Sequence, residues 1–195
     1  MLNIVLLEPE IPANTGNIGR TCVLTGTRLV LVRPLGFDLD AHALHRAGLG
    51  YWESLDLAVY DSWAAFLAGE GLEEGQGREH LHLLTKKARR RHVDATYRDG
   101  DYLVLGKEST GLPEGLLTAY ADRCERIPIL ADAQSLSNAG TWAHGKGDHD
   151  KIMRQDVCGN FVNPDDYRIS ALNLSNAAAV ALYEALRQTG FAGME

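Results

Sequence analysis

Three stretches of this chain place polar residues and glycines where a ligand could be held. The first is Glu8-Pro-Glu-Ile-Pro-Ala-Asn14-Thr15-Gly16-Asn-Ile-Gly19-Arg20. Two prolines stiffen it, and Asn14 or Thr15 can cap a following helix. Gly16 and Gly19 let another backbone come close. Arg20 then falls in the first turns of that helix, near the carboxyl end of the preceding strand, where open α/β sheets bind ligands. An ordinary capped loop with a surface arginine accounts for the same residues. The second stretch, Leu103-Val-Leu-Gly106-Lys-Glu108-Ser109-Thr-Gly111-Leu-Pro113, runs from a strand through a glycine-bracketed loop into a helix. Its spacing matches neither a Walker loop nor a dinucleotide fingerprint. Gly106 suits close backbone contact with a flat ligand, and Glu108 and Ser109 can fix polar groups. A plain turn made of good turn residues reads equally well. The third pairs Arg126-Ile127-Pro-Ile129 with a helix that opens on Asn173, Ser175 and Asn176 and carries Tyr183 and Arg187. Tight packing explains that helix's alanines, but not two asparagines and a serine at its start.

A fourth feature is electrostatic. Lys86, Lys87, Arg89, Arg90, Arg91 and His92 form one dense basic run in a chain of formal net charge −7. The net charge argues against a nucleic-acid partner, yet distribution matters more than the sum. Much of the acid lies elsewhere, at Glu70, Glu73, Glu74 and Glu79. A phosphate-binding patch and a solvated loop both fit the run. Cys22, Cys124 and Cys158 are sparse and include no CxxC, which suits a reducing cytoplasm. No window approaches 18 unbroken apolar residues, so no membrane span is expected. The opening MLNIVLLEPE lacks a basic region and a cleavage site, and reads as a strand and not a signal peptide.

The positioning elements follow from periodicity. Short apolar runs at Asn3–Leu7, Arg28–Val32, Leu57–Tyr60, His80–Leu84, Tyr102–Leu105 and Arg126–Leu130 read as strands buried on both faces. Helical patterns alternate with them: Gly16–Thr25, Asp40–Ala47, Ser62–Ala68 capped by Asp61 and ended by Gly69, Pro113–Tyr120, and Asn173–Gln188. Such alternation predicts an α/β fold with a mostly parallel sheet and helices on both faces. In the last helix Ala178, Ala181, Leu182, Ala185 and Leu186 share one face, and Asn173, Asn176, Val180, Tyr183 and Arg187 the opposite stripe. That stripe reads as plain surface, active-site face or dimer face.

In this order the segments resemble the SPOUT-class RNA 2′-O-methyltransferases, and in particular the small tRNA wobble-nucleotide (TrmL/YibK-like) subfamily. LNIVLLEPEIPANTGNIGRTC, HRAGLGYWE at 45–53, DGDYLVLGKESTGLP at 99–113, RIPI at 126–129 and LNLSNAAAVALYEALRQTG at 172–190 carry the likeness. The resemblance implies a single SPOUT domain over 1–195 with a C-terminal trefoil knot. It implies a homodimer that transfers a methyl group from S-adenosyl-L-methionine (SAM), without a metal, to the ribose 2′-OH of C34 or modified U34 in the tRNA anticodon loop. DNA and membrane are not expected partners. By match, Leu83, Thr85, Gly106, Glu108, Gly111, Ile127, Ser135, Leu172 and Asn173 would hold SAM. Arg20, Asn14, Tyr183 and Asn176 would form the catalytic centre, and Arg46, Lys86, Lys87, Arg89 and Arg90 would meet RNA. A free arginine is a poor base because its pKa exceeds about 12. Arg20 is therefore expected to bind phosphate and polarise the hydroxyl, and the proton acceptor stays open.

The chain departs from that pattern at 134–170, a stretch rich in Gly, Asp, Asn and His that reads as an inserted loop. It separates RIPI from the last helix, so the family's loop serine corresponds to Ser135 or to Ser170. Its His144, Asp148, His149, Asp150 and Cys158 match no standard zinc spacing and read as a polar loop. Two further functions stay open: the same chemistry on another tRNA or rRNA site, or a SAM- or RNA-binding module in which the insert has impaired catalysis.

Overall fold

A computed structural model describes residues 1–38, 50–73, 75–129, 154–155, 161–162 and 171–195. Seven strands form one sheet: β1 (Asn3–Leu7), β2 (Arg28–Val32), β3 (Leu57–Tyr60), β4 (Leu81–Leu84), β5 (Arg90–Arg91), β6 (Tyr102–Leu105) and β7 (Cys124–Arg126). Their order across the sheet is β3-β2-β1-β6-β4-β7-β5, and every neighbouring pair is parallel. Among the described residues four α-helices accompany them: α1 (Pro12–Thr25), α2 (Trp63–Glu70), α3 (Glu114–Ala119) and α4 (Leu174–Gln188). An antiparallel ribbon, β8 (Arg154–Gln155) with β9 (Phe161–Val162), lies within the inserted stretch. The expected helix at 40–47 lies outside the described residues.

Alternation along the strands divides the core in two. Ile4, Leu6, Leu29, Leu31, Leu103 and Leu105 pack with Ile18 of α1 and Ala181 and Leu182 of α4. Val5, Leu7, Val30, Val32, Leu83 and Val104 pack with Phe66 of α2 and Leu117 of α3. Helices therefore cover both faces, and β1 is buried along its whole length. Each such Leu, Ile or Val contributes about 1.5–3 kcal/mol of burial.

Local boundaries differ from the sequence reading for identifiable reasons. Helix α1 starts four residues early, at Pro12, whose fixed φ and missing N–H suit a first turn. Asn14 and Thr15 are consequently not caps but buried positions inside the helix. Ser62, and not Asp61, caps α2 by accepting the Ala65 N–H, while Asp61 faces Arg33. Gly69 does not end α2. It sits against Tyr60, where a Cβ would come within 2.6 Å of the ring, and the helix continues to Glu70. Glu70 accepts hydrogen bonds from Arg28, Tyr60 and Tyr102, which ties α2 to three strands. The last strand of the seven-stranded sheet is Cys124–Arg126, upstream of the expected Arg126–Leu130, because its pairing with β4 runs through Leu83↔Cys124 and Leu84↔Glu125. For α4 the expected apolar face is the buried one, and Gly190, at φ +78, closes it.

The chain leaves β1 toward β2 and β3 on one side, and supplies β6, β4, β7 and β5 on the other. The direction switch falls between β1 and β6, so the loops after these two strands flank a crevice at the sheet's carboxyl edge.

Candidate active site

Two loops at that crevice are clasped together. After β1, the Glu10 carboxylate accepts the Ser109 N–H at 3.0 Å and the Ser109 hydroxyl at 2.9 Å. After β6, the Glu108 carboxylate accepts the Glu10 N–H at 2.8 Å and the Asn14 side-chain amide at 3.1 Å. The exchange is reciprocal, each loop's acid satisfying donors of the other. Asn14 extends it to the C-terminal helix, for its Oδ1 accepts from the Asn173 amide at 2.9 Å. Asn173 in turn caps α4, its Oδ1 accepting from Ser175 and Asn176. One buried asparagine on α1 thus links the loops after β1 and β6 to the start of α4.

Glycine makes the close approach possible. A Cβ on Gly106 would stand 2.3 Å from the Gly111 carbonyl carbon. The loop instead folds back on itself, with Lys107 and Gly111 exchanging backbone hydrogen bonds. Gly36 supports the first loop from behind. Its N–H donates to Pro9 at 2.8 Å, and a Cβ there would lie 2.7 Å from Glu10 backbone. Lys107 and Glu8 add an ion pair at 2.6 Å across the same loops.

The remaining expected SAM residues lie along neighbouring strand ends. Leu83 is buried in β4, so a ligand could reach only its backbone. Thr85 follows β4 and donates its N–H to Glu125 at 2.8 Å. Ile127 follows β7 and packs on the core. Gly106 follows β6, the neighbour of β4. Leu172 precedes α4 and is exposed, as is Ile129. Such a set suits a purine ring with a polar tail in kind: uncovered apolar side chains, a strand end bare of side chain, and backbone groups nearby. Ser135 lies outside the described residues.

The expected catalytic residues are not all in the clasp. Arg20 is exposed, and its guanidinium carbon lies 5.0 Å from the centre of the Tyr51 ring. Asn176 is exposed on the first turn of α4, and Tyr183 stands on the outer stripe with its ring 6.4 Å from that of Phe191. In the basic run Lys86, Lys87, Arg89 and Arg90 are exposed, with Lys87 paired to Glu114 and Arg90 to Glu125. His92 is buried and does not join that surface. Arg46 and the insert's His144, Asp148, His149, Asp150 and Cys158 lie outside the described residues. Glu10, Tyr51 and Gly36 were not singled out from sequence. Glu10 reads there as a loop acid, and only its register with Ser109 reveals its role.

A second polar cluster lies at β4, β6 and β7. His82 bridges Asp101 and Glu125, at 3.0 and 2.7 Å, beside a polar cleft of about 150 Å³. It is separate from the clasp and joins strands, not loops.

The sequence profile of the SpoU rRNA Methylase family matches residues 1–141. This chain belongs to that family. A tRNA (cytidine(34)-2'-O)-methyltransferase of Saccharophagus degradans is 40% identical over 194 residues, covering 99% of this chain and 99% of that one. A solved structure described as giving insights into 2-OH methylation of C/U34 on tRNA superposes with a TM-score of 0.68 at 35% identity, over 96% of this chain and 95% of that one. An AdoMet-bound rRNA methyltransferase of Sinorhizobium meliloti gives a TM-score of 0.65 at 20% identity, over 95% of this chain and 56% of that one. At that identity the likeness is one of fold. The clasp and Arg20 therefore belong to an RNA methylase scaffold.

Proposed function

We propose that this chain is a tRNA (cytidine(34)-2′-O)-methyltransferase, transferring a methyl group from SAM to the ribose 2′-OH of C34 or modified U34. The observation that carries this reading is the convergence of Asn14, Glu108 and Asn173 at the switch between β1 and β6, in a chain alike over its whole length to such enzymes.

A ribose hydroxyl is a weak nucleophile at neutral pH, and alignment supplies much of the rate. Bound SAM supplies an electrophilic methyl group on a sulfonium. Gly106, Ile127, Leu172 and Asn173 would hold that cofactor, largely through backbone groups. Glu108 and Glu10 keep the two loops at fixed separation. Arg20 binds an RNA phosphate and polarises the hydroxyl, and Tyr183 and Asn176 line the RNA side. We further propose one SPOUT domain whose C-terminal part forms a trefoil knot. The Asn14–Asn173 contact, which seats the start of α4 beside the loop after β1, supports it. Val180, Tyr183 and Phe191 leave apolar surface on the outer side of α4, which supports a homodimer. A tRNA substrate implies a cytoplasmic location.

Incubating the purified protein with labelled SAM and total tRNA, then mapping the modified nucleotide, tests the reading. Label at position 34 is expected. Label on rRNA alone would move the activity to another RNA, and SAM binding without transfer would leave only a binding module. Arg20→Ala should lower transfer by about 100-fold, the scale of losing a charge-stabilising group, at unchanged SAM affinity.

A further inference from the structure

We propose that Tyr51 is a positioning residue for Arg20, its ring and hydroxyl setting where the guanidinium meets an RNA phosphate. The inference rests on the reading of Arg20 given above and deepens it. An exposed arginine in water roams many rotamers, and Arg20 is exposed on the outer side of α1. Among the described residues no carboxylate pairs with it. What it has is an aromatic face, with 5.0 Å from guanidinium carbon to ring centre.

That ring is itself held. The Tyr51 hydroxyl donates to the Gly16 carbonyl at 2.6 Å, one turn of α1 before Arg20. The next residue, Trp52, lies against Gly19, where a Cβ would come within 3.0 Å of its ring. Trp52 and Leu55 rest on the core beneath α1. The short 3₁₀ turn Gly50–Ser54 is therefore pinned to the helix beside Arg20. Burial holds the Tyr51 hydroxyl above its ordinary pKa, opposed by hydrogen bonding and charge from Arg20.

The choice of an aromatic partner has a chemical consequence. A carboxylate would orient the guanidinium by occupying its N–H groups and neutralising its charge. A ring face orients it and leaves both available for a phosphate. Gly19 is part of the same device, because a Cβ there would crowd the Trp52 ring that seats the turn on α1.

Two substitutions at one position separate orientation from packing. Tyr51→Phe keeps the ring and loses the hydroxyl, whereas Tyr51→Leu keeps bulk and loses the ring face. Transfer from labelled SAM to an anticodon stem-loop, and affinity for that RNA, are measured for each, with SAM affinity alongside. For a cation–π contact worth about a factor of ten, Tyr51→Leu should fall about tenfold in kcat/KM and Tyr51→Phe less than about threefold, at unchanged SAM affinity. Tyr51→Leu should weaken RNA binding in the natural background and leave it unchanged when added to Arg20→Ala, because coupled residues are non-additive. Equal weakening in both backgrounds means a merely structural role and overturns the proposal, even if the leucine variant is less stable. Matching activity of the Leu and Phe variants overturns it too, and leaves Arg20's role standing. Full activity of Arg20→Ala overturns the reading of Arg20 itself, and this inference with it.

Discussion

Glu125 is fully buried, and three donors meet it: Tyr97 Oη and Arg90 at 2.6 Å and His82 Nδ1 at 2.7 Å. His82 Nε2 faces Asp101 at 3.0 Å, and Asp101 also takes the Arg98 N–H and His80. Both His82 nitrogens thus face carboxylate oxygens, an arrangement that favours the doubly protonated ring. Burial by itself lowers the His82 pKa, but hydrogen bonds to Asp101 and Glu125 more than reverse it, and the value is raised above 6.5. Its stabilisation is therefore complete below pH 6.5 and lost as pH rises through the raised value. Asp101 works in the other direction. Burial raises it, but His82, the Arg98 N–H and His80 together hold it below the usual carboxylate range. Its contribution is present above that range and lost as pH falls through the lowered value. The melting temperature is expected to plateau on the mildly acidic side of neutral and to sink on the alkaline side, and His82→Gln should flatten the alkaline limb. An unchanged limb would show that another group titrates there. Glu125→Ala takes a carboxylate from His82 and Arg90 and should cost about 3 kcal/mol, the lower end for a broken buried pair because His82 keeps Asp101 and Arg90 is exposed, as urea unfolding would measure.

At the scale of elements, the site depends on loops held at close quarters, and glycines distinguish two kinds of need. Gly106→Ala would drive a methyl group into the backbone of Gly111 and Leu112. Overpacking of this sort costs about 1–3 kcal/mol, and here the strain falls on the clasped loop, so SAM affinity by calorimetry should drop with stability. Gly26 serves only helix termination. It ends α1 at φ +60, with the Thr27 N–H returning to Cys22, and a Cβ there meets nothing. Gly26→Ala should lower stability by about 1 kcal/mol and leave SAM binding untouched. The elements themselves were largely legible, because burial on both faces writes apolar runs and a helix face writes steps of three and four. The start of α1 was not, for Asn14 and Thr15 have cap chemistry and only Pro12 ahead of them decides otherwise. Asn14's use as a tertiary link leaves no mark on its neighbours in sequence.

Across the whole molecule the basic run divides into charges spent internally and charges that face solvent. Lys87 pairs with Glu114, Arg90 with Glu125 and Arg91 with Asp94 in two-point contact. Exposed Arg89 makes no ion pair among the described residues. Arg89→Ala alone should therefore reduce the slope of log affinity for tRNA against log salt by about 0.7–0.9, the share of one released counterion. Substituting Lys86, Lys87 and Arg89–Arg91 together should flatten it further, and an unchanged slope would make the run a solvated loop. No helix among the described residues is long and apolar enough to cross a membrane.

Local pattern settled what local physics controls: parallel strands alternating with helices, the buried stripe of α4, and glycines bracketing the loop after β6. The stretches around Asn14, Arg20, Glu108 and Asn173 were legible as chemistry in waiting, though not as one site. Folding alone decided that Glu10 and Glu108, 98 residues apart, exchange hydrogen bonds with each other's loops, and that Tyr51 lies beneath Arg20. Such contacts depend on strand order and register, which are set by the burial of two core faces at once. Periodicity along the chain carries the faces but not the order, so partners distant in sequence become visible only when the sheet is assembled.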